Sequence, residues 1–145
     1  MDVQDYLHIQ TFYYDVFLIN EKRVLDNPTS KIDLINYAIT SYHFAKDYLG
    51  ITKGLDLLER LVNSQKHKII QRNGKPIYFD SLAKRRECYK DIHELMKLPQ
   101  AAWDMYVFQD EHGAEHDLFK VLFDARLIIF AFLEKEQKQH NLLPL

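Results

Sequence analysis

Leu118-Phe119-Lys120-Val121-Leu122-Phe123-Asp124-Ala125-Arg126-Leu127-Ile128-Ile129-Phe130-Ala131-Phe132-Leu133 is interrupted only by Lys120, Asp124 and Arg126 and is otherwise apolar almost all the way round a helix. A helix without a polar face is one that its neighbours cover. The stretch therefore predicts the central helix of a helical bundle, running from about Ala114 to Gln139. It does not read as a membrane span, because a bilayer asks for about 20 mostly apolar residues and this run is shorter and carries charge within it. The fold class that follows is all-α: a single-domain bundle of five to six helices over residues 1–145, with the apolar C-terminal helix at its centre and a short β-hairpin inserted near 67–79.

Working outward to the N-terminus, punctuation divides the chain into three helices. Asp2 caps the first, with Asp5 at the third position, and Tyr6, Ile9, Tyr13, Val16 and Phe17 recur at three-to-four spacing as its apolar face. That helix runs to about Leu25 and stops at Asp26-Asn27-Pro28, since proline lacks a backbone donor and turns the preceding residue away from helix. Ser30 with Asp33 caps the second helix. Its expected inner face is Ile32, Ile35, Ile39, Tyr42 and Leu49, and Gly50 ends it. Thr52 restarts the pattern, with Leu55, Leu58, Leu61 and Val62 as the stripe of the third helix and Asp56 and Arg60 paired on its wet side.

The period changes at His67-Lys68-Ile69-Ile70-Gln71-Arg72-Asn73-Gly74-Lys75-Pro76-Ile77-Tyr78-Phe79. Asn-Gly between two apolar runs is the strongest short-range hairpin signal, because both residues accept the positive φ angles of a tight two-residue turn. Pro76 cannot donate to a ladder, which makes its arm an edge. A fourth helix is expected from Asp80 or Ser81 to Leu98, carrying Leu82, Cys88, Tyr89, Ile92, Leu95 and Met96. A fifth follows from Pro99, carrying Ala102, Trp103, Tyr106 and Val107 and breaking near Gly113.

Composition narrows the class further. With 145 residues, 47% hydrophobic and 28% charged, the chain is of ordinary globular make-up. Four Gly and four Pro set against nine Tyr and nine Phe exclude collagen-like, low-complexity and disordered chains. The single cysteine, Cys88, excludes an intrachain disulfide; on the apolar stripe of its helix it packs as a small hydrophobe. No basic-then-apolar leader opens Met1-Asp2-Val3-Gln4-Asp5, so a reducing, cytoplasmic location is expected.

The net charge of −2 conceals a polarity. Residues 66–90 hold Lys66, Lys68, Arg72, Lys75, Lys84, Arg85, Arg86 and Lys90 against Asp80 and Glu87, eight cations to two anions, so this segment carries +6 and the rest of the chain −8. A basic hairpin leading into a basic helix start is the electrostatic footprint of a surface for an acidic protein or for RNA or DNA phosphate. It equally describes a solvated face balanced by Asp104, Asp110, Glu111, Glu115 and Asp117. Tyr78 and Phe79 interleave the basic run, where aromatic rings either stack on bases or dock a hairpin on a core.

Three patterns bear on chemistry. His112-Gly113-Ala114-Glu115-His116 fits H-x-x-E-H and resembles the motif of the inverted zinc peptidases. Those enzymes add an acidic ligand far downstream and a fold several times larger, whereas 29 residues follow His116 here, so peptidase activity is not expected. His43 on the second helix with the pair His112 and His116 resembles the three-His arrangement of the DinB-like metal-binding bundles, a resemblance that implies a divalent metal held by these three imidazoles inside the bundle.

The third pattern is Arg86-Glu87-Cys88-Tyr89-Lys90-Asp91-Ile92-His93, R-x6-H with a polar residue after the arginine. Seven steps of about 100° return His93 to the side of Arg86, beside Leu82 and Tyr89. The pattern resembles the signature of the HEPN ribonucleases, small helical proteins that pair two such motifs across a dimer cleft. That resemblance implies a homodimer in which Arg86 holds phosphate and His93 moves a proton in RNA cleavage. A second copy, Arg60 to His67, faces away from its leucine stripe.

No glycine-rich phosphate loop, nucleophile elbow, cysteine pair or dinucleotide fingerprint occurs, so no cofactor and no catalytic role are expected. The leading expectation is a binding protein without a membrane partner, using Lys66, Lys68, Arg72, Lys75, Lys84, Arg85, Arg86 and Lys90 to contact an acidic macromolecule. The HEPN-like ribonuclease and the His-ligated metal bundle are the alternatives.

Overall fold

The structure, a computed structural model, describes residues 2–28, 30–66, 69–72, 75–78, 82–85, 105–110 and 112–139, with the strands in 69–85 described through their backbone. Helix α1 joins the α-helical segments Val3–Phe12 and Leu18–Asp26 through a π-helical turn, Tyr13–Phe17. Helix α2 spans Lys31–His43 and continues into a second π turn, Phe44–Tyr48. Helix α3 is Asp56–Lys66 and α4 is Leu118–Gln139. Strands β1 (Ile69–Arg72) and β2 (Lys75–Tyr78) form an antiparallel two-stranded sheet. Strands β3 (Leu82–Arg85), β4 (Met105–Gln109) and β5 (Glu115–Asp117) form a second, antiparallel one in that spatial order.

The helix starts expected near the N-terminus are present atom for atom. Asp2 Oδ1 accepts from the Asp5 amide at 2.8 Å, and Ser30 Oγ accepts from the Asp33 amide at 3.3 Å, each satisfying a donor that a first turn leaves without an intrahelical partner. Asn27, just before Pro28, caps the end of α1, and Gly50 follows α2 at a φ of 66°. The expected faces of α1 and α3 are buried too: Tyr6, Ile9, Tyr13 and Phe17 on one, Leu58, Leu61 and Val62 on the other.

The inner face of α2 agrees with expectation at Leu49, which is buried, and at Ile35 and Tyr42, which pack against the core, and differs at its other positions. Leu34, Tyr37, Ala38 and Ser41 are buried, an i, i+3, i+4, i+7 stripe, while Ile32 is 68% and Ile39 37% exposed. The two stripes are adjacent and both apolar, so composition along the helix does not choose between them. The choice falls to the aromatic rings of α1, which α2 has to meet. Phe17 packs on Tyr37 and on Phe44, with ring centroids 5.7 and 5.3 Å apart, and Phe12 stacks on Phe44 and Tyr48 at 5.3 and 4.3 Å. Phe130 of α4 closes the cluster edge-on to Tyr13 at 6.0 Å. The two π turns meet in this cluster. Such turns insert a residue into the helical ladder, and the sequence carries no sign of them.

The hairpin is where the Asn-Gly signal placed it. Ile69 pairs with Tyr78 and Arg72 with Lys75. The fourth and fifth helices are corrected where the structure describes them, at Leu82–Arg85 and Met105–Gln109; the rest of both, with Cys88, Tyr89, Ile92, Leu95, Met96, Ala102 and Trp103, lies outside the described residues. Leu82–Arg85 is strand rather than a helix start, and Tyr106 and Val107 lie in β4, which pairs with β3 on one side and β5 on the other. A short apolar run cannot be assigned by periodicity alone. Met105-Tyr106-Val107-Phe108-Gln109 is also rich in residues that favour a pleated surface. Consecutive burial of Val107 and Phe108, at 0% and 1% exposed, shows a central strand covered on both faces.

The C-terminal helix is confirmed, with a later start. Asp117, not the region of Ala114, caps it, accepting from the Phe119 amide at 2.8 Å. Its buried face runs Leu118, Leu122, Ala125, Ile129 and Leu133, while Leu127 stands 51% exposed, so one broad side and not the whole circumference is covered. The described residues are thus mostly helical, in four helices; residues 86–104, which hold most of the expected fourth and fifth helices, lie outside them. Among the described residues no helix is long and apolar enough to cross a membrane.

Candidate functional site

The basic segment is described in part. Lys66 closes α3, Arg72 closes β1, Lys75 opens β2, and Lys84 and Arg85 close β3. Lys68, Arg86, Lys90 and His93 lie outside the described residues, so the R-x6-H pair does too. The helix expected to carry that pair does not begin at Leu82, which is in β3. The hairpin register sets Arg72 and Lys75 at paired positions, the last of the ladder.

The three histidines sit in separate surroundings. His43, at the end of the α-helical part of α2, hydrogen-bonds Asp47 through Nδ1, lies edge-on to Phe12 and Tyr48, and is half exposed. His112 is exposed in the β4–β5 turn. His116 is in β5, so the helix face that His112 and His116 were expected to share does not exist. Among the described residues no group of three or more His, Cys, Asp and Glu side chains is arranged to hold a metal ion.

The partner of His116 is Asp110. The carboxylate of Asp110, 6% exposed, accepts from the amides of His112 at 2.9 Å and Ala114 at 3.0 Å, and lies 3.1 Å from His116 Nε2 and 3.4 Å from Arg60 Nη2. These bonds tie the β4–β5 turn to α3. The His116 bond, with the two amides and the Arg60 charge, lowers the Asp110 pKa from 3.8 to about 2. Arg60 was expected to pair with Asp56 on the wet side of α3; its described ion pair is with Asp110.

A second polar cluster lies between α1, α2 and α4. Glu21 Oε1 accepts from Tyr37 Oη at 3.0 Å and from Arg126 Nε, and the Arg126 guanidinium covers the Phe130 ring at 4.4 Å from its centroid. Tyr37 is 4% exposed; burial first, then the Glu21 charge and hydrogen bond, push its hydroxyl far above the ordinary phenol range, so it stays a donor to Glu21. These three polar groups edge a cleft of about 200 Å³ whose other walls are Val24, Leu25, Phe119, Leu122 and Phe123.

No protein-family model, no curated protein and no solved structure matches this chain.

The cleft was not among the sites expected from sequence, although a signal was present. Glu21 falls between Phe17 and Val24 on the buried face of α1, and Arg126 interrupts the apolar run of α4. One charge of each sign on two otherwise buried faces points to a paired interior contact, since unpaired charges are rarely buried. Chemically, the two polar clusters differ. Around Asp110 the carboxylate is filled by four partners and works as a turn fastener. The cleft combines apolar walls with a few convergent polar groups, the usual make-up of a small-molecule site.

Proposed function

We propose that this protein is a non-catalytic binding protein whose basic segment, residues 66–90, contacts an acidic macromolecule through phosphate or carboxylate groups. The observation that carries the reading is the β1–β2 register. It puts Arg72 and Lys75 at paired positions at the end of the ladder, and like charges at paired positions weaken a ladder. A bound anion offsets that repulsion, so the hairpin tip gains stability from the partner it recruits. Lys66 at the end of α3 and Lys84 and Arg85 at the end of β3 bring further positive charge to elements flanking the hairpin in sequence. The excess of +6 within 66–90 in a chain of net charge −2 supplies the density that such contacts need.

The test is an anisotropy titration at low salt with a labelled single-stranded RNA and a labelled polyglutamate, on the native chain and on a variant with Lys68→Glu, Arg72→Glu, Lys75→Glu and Arg85→Glu. At least one probe is expected to bind, with affinity falling linearly in log salt, and the variant to lose that binding. Failure of both probes to bind, or unchanged binding by the variant, overturns the proposal.

A further inference from the structure

The cleft between α1, α2 and α4 has a property that the Asp110 turn lacks: its polar pole is incompletely used. The Arg126 bond runs from Nε to Oε1 of Glu21, the same oxygen that Tyr37 donates to. Among the described residues, Oε2 of Glu21 and the terminal amino groups of Arg126 make no hydrogen bond. One free acceptor and a set of free donors therefore stand side by side at the edge of an apolar hollow. Arg126, with its side chain 36% exposed, stands nearer the solvent, and Glu21, at 14%, lies deeper.

We propose that this cleft binds a small, uncharged amphipathic molecule bearing an amide group, with its apolar body against Val24, Leu122 and Phe123 and its amide on the Glu21–Arg126 pair. Size, wall chemistry and charge select that class. A volume of about 200 Å³ admits a single ring or a short branched chain with one head group, and is too small for a drug-sized ligand. The walls contributed by Val24, Leu25, Phe119, Leu122 and Phe123 are hydrocarbon, so most of the ligand surface must be apolar.

The head group is chosen by charge. Glu21 and Arg126 together are neutral, so a carboxylate attracted to the guanidinium meets the Glu21 charge, and a cation attracted to Glu21 meets the guanidinium. An amide carries an acceptor and a donor at adjacent atoms and has no net charge to desolvate. Its carbonyl oxygen accepts from Arg126 while its N–H donates to Glu21 Oε2, which satisfies both sides at once. Tyr37 holds the other carboxylate oxygen and so orients Glu21 for this contact. Binding in this cleft does not require the basic segment.

Benzamide, benzoate and benzamidinium share one ring and differ in head-group charge, which makes them the probes. Each is titrated into isotope-labelled native protein and followed by amide chemical shifts. Benzamide is expected to shift amides around Glu21, Tyr37 and Leu122, and the two charged probes to bind about tenfold more weakly, the loss of one hydrogen bond to a charged group. Arg126→Lys should weaken benzamide binding by a similar factor. Because that change also touches a structural ion pair, Leu25→Trp serves as the second variant: Leu25 is 45% exposed, so an indole there fills the cleft without entering the core. Loss of the benzamide shifts in a folded Leu25→Trp variant supports the site. Absence of shifts in the native protein, equal binding by benzoate or benzamidinium, or undiminished binding by Leu25→Trp overturns it.

Discussion

The aromatic junction of α1 and α2 and the Asp110 turn between β4 and β5 each hold two parts of the chain together, by different physics. At the junction Phe12, Tyr13, Phe17, Phe44 and Tyr48 interlock through ring contacts of 4.3 to 6.3 Å. Each contact is weak, and the total comes from area removed from water. At the turn a single carboxylate gathers two amides, an imidazole and a guanidinium within 3.4 Å. The first arrangement is non-directional and spreads over two helices and their π turns. The second is directional and depends on one residue. Substitutions should therefore cut deep at the junction whatever the pH, and shallowly at the turn except where Asp110 loses its charge.

The sharpest way to break this contrast is at its strong end. Phe44→Ala, at a ring with no exposed surface, should lower unfolding stability by about 3–5 kcal/mol in urea titrations, and a loss under about 1 kcal/mol would mean that the junction is not core. Next comes the face of α2. Leu34→Ala should lose about 2–5 kcal/mol, whereas Ile32→Ala, one turn-face away and 68% exposed, should stay within about 0.5 kcal/mol; equal losses would restore the Ile32 stripe as the inner one. Gly54 stands at φ 82°, and a Cβ added there would lie 2.8 Å from Ile128 Cδ1. Gly54→Ala should thus lose about 1–2 kcal/mol, mostly from the left-handed backbone because the isoleucine tip can move.

Asp110→Asn keeps an acceptor for the two turn amides but removes the charge that Arg60 and His116 share. Its signature is in acid. Because folding lowers the Asp110 pKa from 3.8 to about 2, the ionised carboxylate stabilises the folded chain above pH 3.8, and that contribution is lost as pH falls towards 2. Measured between pH 5 and 2, the difference in stability between native protein and Asp110→Asn should shrink across that window. A constant difference would detach the turn from the Asp110 charge.

Much of this was legible along the chain. The caps at Asp2 and Ser30, the stop before Pro28, the stripes of α1 and α3 and the Asn-Gly hairpin all rest on interactions within a few residues, and each appears where local chemistry predicts it. What was misread rests on partners distant in sequence. Tyr106 and Val107 sit at helical spacing from Ala102 and Trp103, yet the residues that claim them are Lys84 and Ala83 on one side and Asp117 on the other, through ladder pairings no local window contains. His116 looked like half of a helical pair and is instead bound to a carboxylate six residues before it across a turn. The cleft was missed for the same reason: Glu21 and Arg126 are 105 residues apart, and only the packing of α4 against α1 joins them.

By itself, then, the sequence determined that α1, α2, α3 and α4 exist, nearly where they start and stop, and that positive charge concentrates in 66–90. Helix propensity, capping and net charge are sums over neighbours in the chain, which a single sequence contains in full. Tertiary structure alone decided which apolar stripe of α2 turns inward, that Met105–Gln109 is a strand, and that a glutamate and an arginine from opposite ends of the chain share one cleft. Those outcomes turn on shape complementarity and on hydrogen-bond partners brought from afar, and the free energy that selects them is released only when the elements meet.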